Sequence, residues 1–453
     1  MQQQELVYLK SPTCHNSRLI HSPKQDRARF VPMHDHSFIV VRLFVVRKKF
    51  VKEPGHSNSY RWVIFSGVFG VYLGFGMVAM SLAPLVGEIR SDLNLTRGEM
   101  GIALGTWQLI YIGTSPIAGR VIDRLGVGYS MAIGASLVFI SGITRSLAND
   151  LTTLCMAVAL FGIGGPLVSA CAPTAVGLWF TNERERKFAV GAYTAAPAVG
   201  SIAVLVLSNS LLMPITESWR WTIAIETLVI AFALLFWILI AQFKVQKDHA
   251  GKKEERKTVL IWKSIVVSKE IKTIFFLGVA VFFLSHGLGG WMPEILREHF
   301  GFSSMAASNW TAASLGVGIL VSLLIPSRTR RENFSFIFSC LLVLVATSLI
   351  AVVFLPSYLI PVFAMIAGAR SALIPLVILA LMESPKLNVH QMGTAYGLWF
   401  ASAEIGGVLG PVSAGRIADS AFGYDGVLWL MVAVCLMMIL LAYALRMRAD
   451  ESN

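Results

Sequence analysis

The chain has 453 residues, of which 55% are hydrophobic and only 14% are charged, and its formal net charge is +12. Soluble domains contain roughly 25% charged residues, so this composition excludes an ordinary soluble domain and favours a protein that lies in a lipid bilayer. Most of the lysines and arginines fall in alternate loops and in the two tails. That distribution orients a membrane protein, so the basic charge does not indicate nucleic-acid binding.

The first 60 residues form a basic segment with no clear hydrophobic period. Within it, SFIVVRLFVV (37–46) is too short to span a bilayer and contains Arg42. No small-residue cleavage site follows, so a signal peptide is not indicated. We predict a disordered cytoplasmic tail over residues 1–60, with a strip at the membrane interface as the alternative structure and Met33 as an alternative start of translation.

Twelve apolar runs follow, and each approaches or exceeds the ~20 residues that a helix needs to cross a bilayer. They occupy residues 62–86, 100–118, 129–147, 151–179, 188–212, 220–242, 271–293, 303–326, 334–356, 358–383, 391–414 and 426–445. We therefore predict an all-α integral membrane protein with twelve transmembrane helices, numbered here as spans 1 to 12. The boundary between spans 9 and 10 is a short Pro-Ser turn.

A charged segment at the middle of the chain, residues 243–270, separates the first six spans from the last six. We predict an N-terminal six-helix bundle (61–242), a central cytoplasmic loop (243–270), a C-terminal six-helix bundle (271–446) and a short cytoplasmic tail (447–453). Transporters built from two repeated halves bind their substrate near mid-membrane, where the halves meet. The positive charges place both termini in the cytoplasm of a protein of the cell membrane.

Three motifs stand out, at residues 119–126, 218–221 and 406–429, and together they resemble motifs of the major facilitator superfamily. Gly-Arg-Val-Ile-Asp-Arg-Leu-Gly (119–126), after span 2, resembles the signature G-x-x-x-D-[RK]-x-G. Ser-Trp-Arg-Trp (218–221) and GGVLGPVSAGRIADSAFGYDGVLW (406–429) are similar to motifs at the start of span 6 and at the junction of spans 11 and 12. The resemblance covers residues 60–446. It implies two six-helix bundles and transport by alternating access, so we do not expect an enzyme.

The sequence also departs from that family pattern. The segment SRTRREN (327–333) keeps the basic charge of the loop between spans 8 and 9 but lacks its Gly and Asp. Span 5 carries Ala196 where the antiporter motif of the family has glycine, which argues against efflux. Residues 162–180 and 289–296 are similar to the branch of cyanate and nitroimidazole transporters.

Three ionisable residues lie deep in predicted spans: His286, Arg370 and Glu404. A charged side chain at the bilayer centre costs roughly 2.5–3.5 kcal/mol on insertion scales, so each is a functional candidate. In the family fold their spans, 7, 10 and 11, face the central cavity or its edge. We find no comparable charge in the N-terminal half, which supplies polar candidates for substrate binding: Tyr72, Gln108, Tyr111 and Tyr193.

Arg370 is the candidate for binding an anionic substrate, because a guanidinium stays protonated when desolvated and its fork matches a carboxylate. Its alternative role is to pair with Glu404 and join spans 10 and 11. Glu404 is the candidate for proton coupling, since a substrate that competes for Arg370 favours protonation of this buried carboxyl. His286 titrates in the range of a proton relay and is also a candidate for substrate contact, with a hydrogen bond between helices as the alternative.

Two similar Gly-Arg patterns lie on opposite faces of the predicted membrane protein, after span 2 and after span 11. We predict that they form two gates, built from Gly119, Asp123, Arg124 and Gly126 on the cytoplasmic face and from Arg416 and Asp419 on the outer face. A helix N-terminus favours a nearby carboxylate by about 0.3–1 kcal/mol. We therefore expect Asp123 near residues 390–391 and Asp419 near residues 97–98, with a local turn cap as the alternative for each.

The sequence shows no CxxC pair, Walker loop or nucleophile–base pair, so we expect no catalytic site, metal or cofactor. The leading hypothesis is a monomeric secondary active transporter for a small organic or inorganic anion, coupled to protons. Multidrug or metabolite efflux by proton antiport is the alternative; it would favour an acidic residue in the N-terminal spans, where we identify none. A third hypothesis is a sensor of the same family that moves no solute, which the intact motif at 119–126 disfavours.

Overall fold

The computed structural model describes residues 60–241, 268–384, 387 and 392–450, and the structural statements below concern these residues. The predicted N-terminal tail through residue 59 and the central loop between 242 and 267 lie outside them. We call 60–241 the N-terminal half and 268–450 the C-terminal half.

The regular structure of the described residues is helical. The helices are α1 (Tyr60–Met80), α2 (Val86–Leu93), α3 (Arg97–Ser146), α4 (Leu151–Trp179), α5 (Glu183–Leu207), α6 (Met213–Thr216), α7 (Trp219–Ile240), α8 (Lys269–Glu294), α9 (Ser304–Leu324), α10 (Phe334–Phe354), α11 (Ile360–Ile366), α12 (Leu373–Met382), α13 (Met392–Ala418) and α14 (Gly423–Asp450). Short 3₁₀ segments include Ala83–Leu85 and Ala367–Ala372, and two π-helical segments are Ser208–Leu212 and Ile295–His299.

Helix α3 contains two membrane spans. It is 50 residues long, and at 1.5 Å per residue a straight helix of that length would reach roughly 75 Å, more than twice the bilayer core. The backbone breaks at Gly126, with φ 78° and ψ 166°, a conformation that glycine adopts without the steric cost of a Cβ. Gly126, a predicted gating residue, therefore makes the turn between spans 2 and 3.

The helix count agrees with the predicted fold class. Ten helices of the described ranges are long and apolar enough to cross a membrane. Counting α3 as two spans and adding the 27-residue α13 gives a number consistent with twelve. The chain is thus an all-α, multi-pass membrane protein.

Capping residues that are visible in the sequence set where two of the helices begin. Thr96 accepts a hydrogen bond from the backbone N of Glu99, whose carboxylate accepts one from the backbone N of Thr96. Asp150 and Thr153 form the same reciprocal arrangement before α4. Such a cap contributes about 1 kcal/mol. The cap at Thr96 fixes the N-terminus of α3, which faces the C-terminal half.

The two halves meet along α3 and α13, which run antiparallel. A Cβ added at Gly101 would lie 2.6 Å from the carbonyl oxygen of Pro411, and one at Gly105 would lie 3.0 Å from that of Val408. These contacts leave no room for a side chain, which is how small residues let membrane helices approach closely. The halves are therefore packed backbone to backbone near the end of the helices that carries Asp419, called here the Asp419 end.

The same two helices have fewer contacts toward their other end. The rings of Tyr111 and Phe400 still meet, with centroids 5.7 Å apart. Beyond them, a Cβ added at Gly119 of α3 or at Gly397 of α13 would meet no atom within 4 Å. Among the described residues, the halves are therefore tightly packed at the Asp419 end and looser at the Asp123 end, where the 119–126 motif lies.

Candidate functional site

A cavity of about 300 Å³ lies between the two halves. Its polar lining residues are Gln108 and Arg145 from the N-terminal half and Ser285, His286, Arg370 and Ser371 from the C-terminal half. Asp and Glu are absent from its described lining, so the cavity carries positive charge. This is the position at which transporters with repeated halves bind substrate.

Arg370 lines the cavity and is 2% exposed. It lies in the 3₁₀ segment Ala367–Ala372, which interrupts span 10 between α11 and α12; such interruptions often mark a functional hinge. Its Nη1 donates a hydrogen bond to the carbonyl oxygen of Ala367 at 3.2 Å. In the described part of the chain no ion pair joins Arg370 to Glu404, so the alternative role of a structural ion pair is not seen in this conformation.

Arg145 also lines the cavity, and sequence reasoning missed it. It was not among the three buried ionisable candidates, yet it is 1% exposed in the last turn of α3. Its Nη1 donates to the carbonyl oxygen of Val78 and to Ser81 Oγ, and its guanidinium lies 5.5 Å from the centre of the Phe161 ring. Its Nε and Nη2 have no hydrogen-bond partner in the structure. The available signal was that Arg145 falls inside predicted span 3.

His286 and Gln108 face the same cavity from opposite halves. His286 Nδ1 lies 3.1 Å from the carbonyl oxygen of Phe282, one turn back on its own helix, and its ring lies 5.7 Å from that of Trp107. The buried Gln108 has no partner for its Oε1. The cavity thus brings together three predicted candidates, His286, Gln108 and Arg370.

Glu404 lies on α13 beside Gln108 and outside the cavity lining. It is 1% exposed, and its Oε2 has no hydrogen-bond partner. A Cβ added at Gly407 would lie 2.7 Å from Glu404 Oε2 and 3.0 Å from Gln108 Cγ. The two side chains therefore converge over Gly407, across the boundary between the halves, and each buries an oxygen without a partner.

The three predicted tyrosines form a cluster of their own. The Tyr72 hydroxyl donates to the carbonyl oxygen of Ser169 at 3.0 Å, and the Tyr111 hydroxyl bonds to Ser169 Oγ. The rings of Tyr72 and Tyr193 meet edge to face at 5.7 Å. None of the three is among the residues that line the cavity. The structure thus brings them together with one another but not with Arg370.

A buried acidic residue of the N-terminal half contradicts the expectation that its spans hold none. Glu226 of α7 is 3% exposed and accepts a hydrogen bond from Ser208 Oγ at 2.6 Å. It falls inside predicted span 6 (220–242), and sequence reasoning missed it. Together with Arg145, it raises the number of deeply buried ionisable groups beyond the three that were predicted.

At the Asp419 end, the Asp419 carboxylate caps the N-terminus of α3. Its two oxygens accept hydrogen bonds from the backbone N of Arg97 at 3.0 Å and of Gly98 at 2.6 Å. This is the contact expected for residues 97–98, and it joins the two halves. Arg416 is exposed beside it, with its Cγ 3.5 Å from a Cβ added at Gly98. The gating role of these residues stays a prediction.

A network of ion pairs and hydrogen bonds surrounds that contact. Arg97 bonds to Glu298 and to the Tyr424 hydroxyl, which donates to Glu298 at 2.9 Å. Arg90 reaches Glu298 at 3.1 Å and the buried Glu294 at 3.4 Å. Single exposed ion pairs contribute about 0–1 kcal/mol. This set, however, links α2 and α3 of one half to three elements of the other, namely α8, the π-helical segment Ile295–His299 and α14. Sequence reasoning missed it because the partners are about 200 residues apart.

The predicted cytoplasmic gate is open to solvent among the described residues. Gly119, Asp123 and Arg124 are exposed. The expected partners of Asp123, residues 390–391, lie outside the described residues. The role of this motif in gating therefore stays a prediction, apart from the turn that Gly126 makes.

The chain matches a family profile and several transporters. The profile described as Major Facilitator Superfamily matches residues 64–394. The chain is similar to the uncharacterized transporter YybO of Bacillus subtilis (strain 168), with 23% identity over 292 residues, covering 60% of this chain and 64% of YybO. It is also similar to multidrug resistance protein 2 of that organism, with 21% identity over 381 residues, covering 80% and 89%. The match to YybO thus spans just under two thirds of that protein.

Solved structures share the fold. A bacterial homolog of the human lysosomal transporter Spinster, in an inward-facing and unoccupied conformation, has a TM-score of 0.69 and 16% identity, covering 86% of this chain and 97% of that chain. A D-xylose-proton symporter has a TM-score of 0.69 and 16% identity, covering 85% and 98%. Because the family profile matches well over half of the chain, the chain belongs to the Major Facilitator Superfamily, and its fold is shared with the solved transporters.

Proposed function

We propose that the chain is a secondary active transporter that moves a small anion through the cavity between its halves. The observation that carries this proposal is the pair of buried arginines, Arg145 and Arg370, on a lining without a described carboxylate. A buried charge without a partner is strongly unfavourable. An anionic substrate supplies that partner, and a guanidinium can hold a carboxylate or phosphate through two parallel hydrogen bonds.

The position of the two arginines also favours alternating access. Arg145 belongs to the N-terminal half and Arg370 to the C-terminal half. An anion between them attracts both halves at once, and so favours their closure around the substrate. The tight packing at the Asp419 end and the looser packing at the Asp123 end support exchange of the substrate from the Asp123 end in this conformation.

Proton coupling belongs to the same proposal, with Glu404 as the proton carrier. Its burial and its unpartnered Oε2 support this role, because an ionised carboxylate in that position would be costly. Uptake of a proton together with an anion also lowers the charge that crosses the membrane. The charge distribution of the loops supports a protein of the cell membrane with both termini in the cytoplasm. We further propose a monomer, with the cyanate-type branch as the source of candidate substrates.

The test is anion binding and counterflow in proteoliposomes, across a panel of small carboxylates and inorganic anions. We expect Arg370→Lys and Arg145→Lys each to weaken anion binding by roughly 10- to 100-fold, because lysine keeps the charge but loses a charge-assisted hydrogen bond of about 1.5–3 kcal/mol. Arg186→Lys, at an exposed arginine outside the cavity and outside both predicted gates, is the matched control and keeps wild-type affinity. Unchanged affinity in both cavity variants would show that the arginines do not bind the substrate.

Efflux by proton antiport is a second candidate function. Glu226 supplies the acidic residue of the N-terminal half that such a mechanism favours, and the similarity to multidrug resistance protein 2 points the same way. The direction of net transport distinguishes the two functions. Symport predicts accumulation inside vesicles whose lumen is more alkaline than the medium, whereas antiport predicts accumulation when the lumen is more acidic.

A further inference from the structure

Glu226 is a buried carboxyl that neither the cavity nor Glu404 accounts for. It lies in the membrane-spanning helix α7, and its Oε1 accepts a hydrogen bond from Ser208 Oγ at 2.6 Å. Its Oε2 has no hydrogen-bond partner, and within the described part of the chain it forms no ion pair. An ionisable residue in such a position is expensive and indicates function.

The hydrogen bonds of Ser208 depend on the protonation state of Glu226. Ser208 Oγ lies 2.6 Å from both the carbonyl oxygen of Val204 and Oε1 of Glu226. A serine hydroxyl carries a single proton. If Glu226 is ionised, its Oε1 and the Val204 carbonyl oxygen compete for the one hydroxyl proton of Ser208. One of the two oxygen–oxygen contacts at 2.6 Å is then left without a hydrogen. If Glu226 is protonated, it donates to Ser208, which donates to Val204, and both contacts are hydrogen bonds.

Charged and titratable groups on the elements around α7 are engaged elsewhere. On α3, Arg145 uses only its Nη1, which donates to Val78 and Ser81, and it forms no ion pair with Glu226 among the described residues. At the start of α7, Arg220 pairs with Asp92 of α2. The polar groups of α1 have partners other than Glu226. Arg61 pairs with Glu185 of α5. The hydroxyls of Tyr60 and Tyr72 donate to the carbonyl oxygens of Ile240 and Ser169, respectively. A proton is therefore the partner that the geometry leaves for Glu226.

The segment that contacts Glu226 also joins the two halves. Ser208 is the first residue of the π-helical segment Ser208–Leu212, an irregularity that is frequent at functional sites. The next residue, Asn209, donates through Nδ2 to the carbonyl oxygen of Pro84 and to Ser308 Oγ, each at 2.8 Å. Ser308 lies on α9 of the other half. One turn of helix thus faces Glu226 on one side and the C-terminal half on the other.

We propose that Glu226 is a proton-binding site, separate from Glu404, whose proton holds the π-helical segment in the shape that presents Asn209 to Ser308. Release of the proton leaves a carboxylate that takes the Ser208 hydroxyl from the Val204 carbonyl. The π-helical segment then loses its hydrogen bond from Ser208 to Val204, and the hydrogen bond from Asn209 to Ser308 between the halves is weakened. The ligand is the proton itself, so the proposal does not depend on the identity of the transported substrate.

The first test is infrared spectroscopy of the full chain in lipid, which detects the carbonyl stretch of protonated carboxyl groups. At neutral pH we expect Glu226→Gln to lose a band equal to one carboxyl per molecule, with or without Glu404→Gln in the same chain. Glu217→Gln, at an exposed acid of the same half, is the matched control and leaves the band unchanged. A Glu226→Gln spectrum with the full wild-type band overturns the proposal.

The second test follows the contact between the halves. Its comparison of the parent chain with Ser208→Ala still applies if Glu226→Gln folds poorly, and equal pH profiles in those two chains are enough to overturn the proposal. Ser210, whose Oγ lies 3.4 Å from Asn309 Oδ1, is replaced by cysteine in a chain without native cysteines, and its labelling rate is measured against pH. We expect labelling to rise several-fold as the pH is raised, to stay low at all pH values in Glu226→Gln, and to be fast at all pH values in Ser208→Ala. Equal pH profiles in all three chains overturn the proposal. Neither test measures anion binding, so the outcome is independent of the proposed substrate.

Discussion

Glu404 and Gln108 bury two unpartnered oxygens on either side of the boundary between the halves. Leaving a buried polar atom without a partner costs about 1–3 kcal/mol, so two such atoms that converge over Gly407 call for an explanation. A proton on Glu404 would turn one of these acceptors into a donor beside the Gln108 side chain. This arrangement suits a residue that carries a proton in one conformation and releases it in another.

For this single residue, we predict that Glu404→Gln abolishes proton coupling while it leaves substrate binding intact. The amide is neutral and of the same size, so we expect substrate exchange to continue while accumulation driven by a pH gradient falls to background. Uptake in proteoliposomes with and without an imposed gradient measures both quantities. Glu332→Gln, at an exposed acid of the same half, is the control. Normal accumulation and proton uptake by Glu404→Gln would exclude the coupling role.

At the scale of elements, the N-terminus of α3 is held by a carboxylate from the other half. Both oxygens of Asp419 are used by backbone N–H groups of Arg97 and Gly98. The capping box at Thr96 places those groups at the first turn of the helix, where the partial positive charge favours an anion. The homologous pattern at Asp123 lies at the opposite end of the same helix pair, which is the placement required of two gates that close in turn.

The prediction for these elements is an opposite bias in two variants. Asp419→Asn loses the charge and one acceptor, so we expect a roughly 2- to 5-fold shift toward conformations open at the Asp419 end, from about 0.3–1 kcal/mol. Asp123→Asn should shift the population toward conformations open at the Asp123 end. Cysteine accessibility on each face measures both shifts. A shift in the same direction for both variants would contradict the two-gate hypothesis.

For the whole molecule, the contact between the halves at the Asp419 end must separate before the cavity can open on that side. A Cβ added at Gly98 lies 3.5 Å from Arg416 Cγ and 3.9 Å from Arg416 Cα, so the Arg416 Cβ is within the range for a disulfide. We expect Gly98→Cys with Arg416→Cys, in a chain without native cysteines, to lose transport when oxidised and to regain it on reduction. Anion binding from the Asp123 end should persist.

Each single-cysteine chain serves as the control for this cross-link, because neither can form the bond between the halves. Mass spectrometry of the oxidised sample establishes that the cross-link is complete. Transport at the wild-type rate by the completely cross-linked chain would show that this end does not open during the cycle, and alternating access between these faces would then be wrong.

The amino-acid sequence by itself determined the fold class, the family and the positions of most helices. A helix that crosses the bilayer needs a long apolar run, so each span can be recognised from consecutive residues of the sequence. The caps at Thr96 and Asp150 and the turn at Gly126 are equally local. Of the candidate residues, Arg370, His286 and Gln108 were found because a polar group inside an apolar run is conspicuous.

Only the tertiary structure decided which of those groups share a cavity. Arg145 joins Arg370 because its contacts with Val78, Ser81 and the Phe161 ring hold it beside the cavity. Tyr72 and Tyr111 fall outside the lining because their hydroxyls bond to Ser169. Glu226 and Ser208 meet because the π-helical segment that follows α5 places the Ser208 hydroxyl against α7. Such pairings depend on how each helix is rotated about its axis and on the angles at which helices cross. In a membrane helix that is apolar on every face, each face is compatible with lipid, so the sequence does not indicate which face packs against protein.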